Sequence, residues 1–192
     1  YQFDDQTATF IVECSQETFE AFGFGNMAKE ESIALCEKIF KSHLGGHSLM
    51  SNAHHIRGSA WIRFPRVLCE NWSHENIVLL GDAAATAHFS IGSGTKLALE
   101  SAVALADYLH KEDDHETAFQ RYQEERRLEV LKLQSAARNS MEWFERVERY
   151  LNLDPVQLNY SMLTRSQRIS HENLRLRDKN WLEGAERWFM RQ

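Results

Sequence analysis

The chain has 192 residues, 43% of them hydrophobic and 11% aromatic, which is enough apolar material for a real core and too much for a disordered segment. Its net charge of −6 provides no basic field, so nucleic acid is excluded as the default partner. Three well-separated cysteines (Cys14, Cys36 and Cys69) with no CxxC pair argue against a disulfide framework or a thiolate zinc site and fit a reducing, cytoplasmic setting.

The opening Tyr1-Gln2-Phe3-Asp4 reads as a strand already under way, so the chain is expected to be a piece of a longer polypeptide. Residues 1–3 and 7–14 are predicted strands around the turn Asp4-Asp5-Gln6, because Thr9, Phe10, Ile11 and Val12 are β-branched or aromatic. Phe22-Gly23-Phe24-Gly25-Asn26 mimics the start of a dinucleotide fingerprint. It has Ala28 where the third glycine belongs and follows no strand, so a loop is predicted. Residues 28–44 are a predicted helix with Ile33, Cys36, Ile39 and Phe40 on one face, stopped by Gly45-Gly46. His43, His47 and the pair His54-His55 have no carboxylate or HExxH context, so they are expected at the surface, with no metal bound.

Residues 59–64 alternate in polarity and are a predicted half-buried strand, which residues 66–69 extend past Pro65 as an edge or bend. Ile77-Val78-Leu79-Leu80 is unbroken by polar residues, which predicts a strand over 76–80 buried on both faces, as in a parallel sheet. Residues 97–109 form a predicted alanine-rich helix. Residues 116–151 form one long helix or two joined ones, with Phe119, Tyr122, Val130, Leu133, Ala137, Met141 and Phe144 on the buried side. Pro155 opens a further helix, and residues 181–189 are a last amphipathic piece. Trp143, Phe144, Trp181, Trp188 and Phe189 are expected to pack helices. No run is long and apolar enough for a membrane span.

The segment GDAAATAHFSIGSGTKLALE, residues 81–100, carries the chemistry. A phosphate-binding GxxxxGK[ST] loop fails, because the order is Gly94-Thr95-Lys96 and Phe89 stands where the first glycine should be. A GxSxG nucleophile elbow fails, because Ile91 and Thr95 flank Ser93 at the glycine positions. Two readings remain. One is an ordinary strand-to-helix loop with glycines for turning. The other is a ligand loop in which Gly81 lets a ligand approach the backbone, Asp82 accepts from sugar-like hydroxyls, and glycines free the first amides of a helix for an electron-rich oxygen.

The segment 81–109 resembles the second flavin-contact motif of the single-component FAD-dependent aromatic hydroxylases, the 4-hydroxybenzoate hydroxylase superfamily. Within it, residues 57–66 (RGSAWIRFPR) and 163–178 (LTRSQRISHENLRLRD) resemble the branch acting on aromatic CoA esters, salicylyl-CoA 5-hydroxylase and 2-aminobenzoyl-CoA monooxygenase. The resemblance implies an α/β parent, of which this piece is α+β. It would hold substrate-domain strands in residues 1–72, the C-terminal part of the FAD domain with one buried strand in 73–111, and a helical region in 112–192. The missing N-terminal half would carry the dinucleotide fingerprint.

What the resemblance implies for the site is specific. Gly81 and Asp82 would hold the ribityl and pyrophosphate region of FAD. Gly92, Gly94, Thr95 and Lys96 would face the N1/O2 edge of the ring, and His88 and Phe89 would lie by the ring and the substrate, with His88 the one candidate catalytic side chain. Many superfamily members have histidine, proline and asparagine where this chain has Ala85, Phe89 and Lys96, so a Lys96 role would run through its backbone. The implied reaction uses NADH or NADPH and O2 to hydroxylate an aromatic acyl-CoA through a flavin C4a-hydroperoxide, in an enzyme that could assemble as a homo-oligomer.

Residues 165–179 hold Arg165, Arg168, Arg175, Arg177 and Lys179 against Glu172 and Asp178. Arg165 and Arg168 are read as anchors for the CoA phosphates. The rival reading pairs these cations with Glu124, Glu125 and Glu129 of the long helix. A different class of function stays open too: a helical interaction module, or an inert piece that binds no flavin.

Overall fold

The computed structural model describes residue 2, residues 4–51 and residues 61–192. These fall into two compact units, Tyr1–Arg63 and Phe64–Gln192. The fold is helix-rich, with seven α-helices and one two-stranded antiparallel sheet among the described residues.

The first unit holds α1 (Gln16–Phe22) and α2 (Lys29–Ile39). Helix α1 has no counterpart among the predicted elements, yet its signals are local. The Ser15 side chain accepts from the Thr18 amide, and Gly23 at φ 70° closes the end. The GFG segment is therefore a helix end and a 3-10 turn, with Phe24 buried beside Trp61 at 4.4 Å between rings. Helix α2 ends at Ile39, before the predicted Leu44, and 40–46 is a run of turns. Cys36 is buried, while Ile39 is 45% exposed, so the apolar stripe is narrower than its spacing suggested.

Of the predicted N-terminal strands, Tyr1 and Phe3 lie outside the described residues, and 7–14 forms no ladder. Gln2 and Ala8 make one antiparallel bridge, the Asp4 amide donates to the Thr7 carbonyl, and 9–14 has no regular secondary structure. A ladder needs successive paired backbone groups, and one isolated bridge does not make one. The 59–64 strand likewise fails over 61–64, where Ile62 is exposed. Its first two residues, the resemblance stretch before Trp61, and His54-His55 lie outside the described residues.

The second unit is organised by a hairpin and a long helix. Strand β1 (Ser73–His74) pairs antiparallel with β2 (Ile77–Val78) around Glu75, which takes φ 51°. Pairing continues irregularly outward. The Leu79 amide donates to Trp72, Leu68 bridges Ala85, the Cys69 amide donates to Ala84, and the Thr86 amide donates to Val67. The expected doubly buried parallel strand at 76–80 is thus the short return arm of a hairpin, with Ile77 63% exposed. Of its apolar run, Val78 and Leu79 pack against the core while Ile77 and Leu80 are exposed.

Helix α3 (Gly94–Lys111) and helix α4 (His115–Glu145) pack together against this hairpin. Their shared core holds Trp72, Ala84, Ala85, Leu97, Tyr122 and Val130. Burial of Ala85 in this core explains why a small apolar side chain suits that position. Asp114 caps α4 by accepting from the Thr117 amide. The predicted 116–151 helix breaks at Arg146 into a 3-10 turn, Val147–Tyr150. Helices α5 (Pro155–Thr164), α6 (His171–Arg177) and α7 (Lys179–Phe189) complete the unit. Pro155 opens α5 as expected, behind the cap Asp154.

The aromatic residues of the C-terminal region do pack helices. Trp143 stacks on Tyr150 at 4.9 Å and donates through its indole N–H to Ser161, and Phe189 meets Tyr160 edge-on. Among the described residues, no helix is long and apolar enough to cross a membrane, and no cluster of three potential ligands could hold a metal.

Candidate functional site: a hairpin arm leading to an uncapped helix

The site lies where the hairpin hands over to α3. Gly81 opens a 3-10 turn, Gly81–Ala83, at φ 58°. That angle favours glycine, and contact adds a second reason: a Cβ here would lie 3.2 Å from the Cβ of Ala98 on α3. The turn is therefore pressed against the helix it leads to. Asp82 is exposed beside it.

Thr86 fixes the next part of the loop. Its hydroxyl accepts from the Val67 amide at 2.8 Å and donates to the Pro65 carbonyl at 3.0 Å. From α4, the buried Gln134 donates to both Val67 and Thr86 carbonyls at 2.8 Å. Reading the sequence for flavin contacts missed both residues, because neither belongs to a motif.

His88 and Phe89 come next. The ring centroids of His88 and Phe89 are 4.5 Å apart, and Phe64 packs on Phe89 at 5.1 Å. The His88 Nδ1 accepts from the Ser90 amide at 3.3 Å, so a neutral ring carries its proton on Nε2. Partial burial pushes the His88 pKa down, which favours that neutral form. This small aromatic wall includes Phe64, which the motif alone does not reveal.

Gly92 turns the chain at φ 59°, and Gly94 begins α3 with open space where a Cβ would stand. Ser93 occupies the N-cap position, yet its hydroxyl makes no capping bond. It donates to the Ile91 carbonyl at 3.1 Å and accepts from Arg168 at 3.2 Å. The first turn of α3 carries no acidic residue, and Gly94, Thr95 and Lys96 are exposed. The amides of that turn, with the helix dipole behind them, face outward. Lys96 turns its ammonium away to Glu100 at 3.2 Å, which holds the Glu100 carboxyl below its usual pKa.

The two arginines sit behind the loop. Arg165 donates to Ser140 at 2.9 Å, to the Met162 carbonyl at 2.7 Å and to the Ser90 carbonyl at 3.3 Å. Its guanidinium also covers the Phe144 ring at 4.9 Å. Arg168 reaches Ser93. Neither partner set includes the glutamates of α4: Glu125 accepts from Tyr108, Glu124 from Gln120 and Glu129 from Lys132. The structure thus sets Gly81, Asp82, His88, Phe89 and Gly92 on the segment leading into α3 and Gly94, Thr95 and Lys96 on its first turn, with Arg165 and Arg168 bonded to Ser90 and Ser93 behind them.

The donor set suits the edge of a flavin. Outward amides at a helix N-terminus offer hydrogen bonds and positive potential to an electron-rich ring edge. The open space at Gly92 and Gly94 leaves backbone approachable there, whereas the space beside Gly81 is filled by Ala98.

No protein-family model matches the chain. Individual proteins do. Salicyloyl-CoA 5-hydroxylase of a Streptomyces species is 36% identical across 100% of this chain and 38% of its own length. Protodeoxyviolaceinate monooxygenase of Chromobacterium violaceum is 37% identical over 88% of this chain and 44% of its own length. YetM of Bacillus subtilis, provisionally named a FAD-dependent monooxygenase, is 36% identical over 34% of the chain. The chain spans less than half the length of each of these relatives. Its sequence kinship is with the monooxygenases, among them salicyloyl-CoA 5-hydroxylase, and it corresponds to one part of such an enzyme.

Proposed function

We propose that the protein to which this chain belongs is a flavin-dependent aromatic hydroxylase, using NADH or NADPH with O2, and that residues 81–96 supply one wall of its FAD site. The observation that carries this reading is the uncapped N-terminus of α3 at the end of a Gly-Asp turn. Kinship with a provisionally FAD-dependent relative supports it. When bound, FAD would supply the oxygen-transfer chemistry.

The chain's residues would bind and orient. Gly81 lets the turn close onto Ala98 of α3, and Asp82 accepts from ribityl hydroxyls. The Gly94, Thr95 and Lys96 amides, entered through Gly92, hold negative charge at the pyrimidine edge. His88 and Phe89, with Phe64, form an aromatic wall that excludes water and can orient a substrate ring. The neutral His88 can hydrogen-bond a phenol or aniline nitrogen without adding charge.

An aromatic acyl group on a carrier is the favoured substrate class. One relative is named for a salicyloyl-CoA reaction, and another, from Streptosporangium sibiricum and 43% identical over 59% of the chain, for an anthranilyl group on an aryl-carrier protein. With Arg165 and Arg168 engaged by the loop, we assign them to its support rather than to CoA phosphates.

The test is a visible spectrum of the full-length gene product, followed by NAD(P)H oxidation with salicyloyl-CoA, 2-aminobenzoyl-CoA and the free acids. A yellow protein whose oxidation rises with the CoA esters alone supports the reading. A protein that stays colourless with added FAD overturns it and favours a helical interaction module.

A further inference from the structure

Helix α3 turns two large apolar side chains away from the shared core. Leu99 and Val103, one helical turn apart, are 64% and 63% exposed. The stripe ends one turn further on, where Asp107 pairs with Lys111 at 3.9 Å in solvent. Leu99 and Val103 border a groove of about 430 Å³ between α3 and α4, whose lining includes Ala104, Tyr108, Glu125 and Arg126. Single apolar residues on a surface need no explanation, but an apolar pair rimmed by charge marks a contact surface.

Arg126 adds an independent observation. It is 6% exposed, the one buried arginine among the described residues. Its guanidinium stays charged and carries five N–H donors. Among the described residues it makes two long contacts, from Nε to the Ser101 hydroxyl at 3.4 Å and from Nη2 to Glu100 at 3.3 Å, and Nη1 makes none. Glu100 is half-exposed and shared with Lys96, so water screens its pull. Arg165 is less buried and makes three bonds. A buried charge short of acceptors is costly.

The groove's chemistry narrows what completes it. Glu100, Asp107 and Glu125 line it together with Arg126 and Lys111, so a free anion meets more acid than base. Neutral carbonyl oxygens carried beside apolar side chains suit both halves of the groove. The occupant is also a permanent one, because the cost of an under-bonded guanidinium recurs whenever the groove stands open. The chain spans 38% of the length of salicyloyl-CoA 5-hydroxylase and 44% of that of protodeoxyviolaceinate monooxygenase. In those enzymes most of the polypeptide lies outside the matched part and is tethered close at hand.

We propose that the α3–α4 groove seats a segment of the same polypeptide from outside residues 1–192, which lays apolar side chains on Leu99 and Val103 and a main-chain carbonyl on Arg126 Nη1. This goes beyond the flavin reading and does not rest on it. It concerns how this part is held within the whole protein.

The experiment uses the full-length protein carrying Val103→Cys, with Leu99→Cys as a second variant should the first fail to fold. Thiol labelling is read by mass spectrometry on the peptide that holds the new cysteine, native against urea-unfolded. A seated segment should slow labelling by at least about tenfold, since the reagent waits for the segment to lift. Any smaller slowing leaves the face open and overturns the proposal. Adding Arg126→Gln should raise the native rate about tenfold, the worth of a hydrogen bond to a charged group. Glu100→Gln, which removes only the contact already visible, should raise it by less than about threefold. Equal effects would confine Arg126 to its Glu100 pair and overturn its part in the proposal. A photo-reactive residue in place of Val103, in mixed isotopically light and heavy protein, then names the occupant. A link within one chain to a residue outside 1–192 supports the proposal. A light–heavy link puts a second copy in the groove, and a link to residues 1–63 puts the chain's own first unit there; either result, or no link at all, overturns it. FAD uptake is no readout here, so failure leaves the flavin reading untouched.

Discussion

A methyl group placed on Gly81 would come within 3.2 Å of the Cβ of Ala98. The hairpin arm and α3 are therefore in contact at a point where neither can grow. Gly81→Ala pays for a left-handed backbone and for crowding against a helix, together about 2–4 kcal/mol. The expected result is a markedly lower melting temperature and weaker FAD retention in the full-length protein. Pairing it with Ala98→Gly should return the crowding part and leave the backbone part, which a double-mutant melting series resolves.

Gln134 is the hinge pin between α4 and the hairpin. Its amide nitrogen satisfies two carbonyls from a site only 4% exposed. Gln134→Ala strips this donor from the Thr86 carbonyl, at about 1–3 kcal/mol, while the Val67 carbonyl keeps the Thr86 amide. Gln134→Glu sets a carboxylate against two carbonyl oxygens and should be worse than alanine. Chemical denaturation orders the three proteins; alanine more damaging than glutamate would contradict the donor role.

Tyr122 is fully buried against Trp72, and its hydroxyl donates to the Leu79 carbonyl at 3.2 Å. Tyr122→Phe keeps the packing and loses one hydrogen bond, so about 1 kcal/mol of stability should go. Trp72→Ala empties the centre of the same core and should cost about 3–5 kcal/mol. Urea midpoints at constant slope separate the two.

Acid should weaken the protein at two places. Burial lowers the His88 pKa from an ordinary 6.5. The unfolded chain then binds the proton more readily, so this contribution is lost as pH falls through about 6.5 toward the lower folded value. The pH dependence of melting between 7.5 and 5.5 should flatten in His88→Asn. Glu186 is the opposite kind of group. His171 first, at 2.8 Å, and then Arg175 hold its carboxyl below the ordinary 4.5. That support is complete above pH 4.5 and disappears as pH falls through the lower folded pKa. Glu186→Gln should therefore melt below wild type at pH 6 and converge with it toward pH 3.

The helices were legible in the sequence where periodicity and caps agreed. Tyr122, Val130 and Ala137 marked the buried side of α4, and Asp154-Pro155 marked the start of α5. Residues 15–21 were assigned no element, because the signals of α1 are only Ser15 and Gly23 at its ends and it buries no residue. The strand at 76–80 was misread because an apolar run records what can be buried, not which neighbour buries it. Gly81, Asp82, Gly92 and Gly94 were legible as loop chemistry. The roles of Thr86, Gln134 and Ser93 were not, since each depends on a partner 19 to 75 positions away.

Helix α4 meets the hairpin at Gln123, which bonds Trp72 and Glu70, and again at Gln134, which bonds Val67 and Thr86. These grips lie about 16 Å apart along a rigid rod. Releasing either grip alone strips a hydrogen bond from a part-buried group, the Trp72 amide at one and the Thr86 carbonyl at the other. The hairpin and the middle of α4 should therefore open and close as one cooperative unit, with matching amide-exchange protection over residues 67–86 and 118–137. Breathing at the Gly-Asp turn then costs the loosening of the longest helix in the chain, so the loop at the site inherits the slow clock of the core.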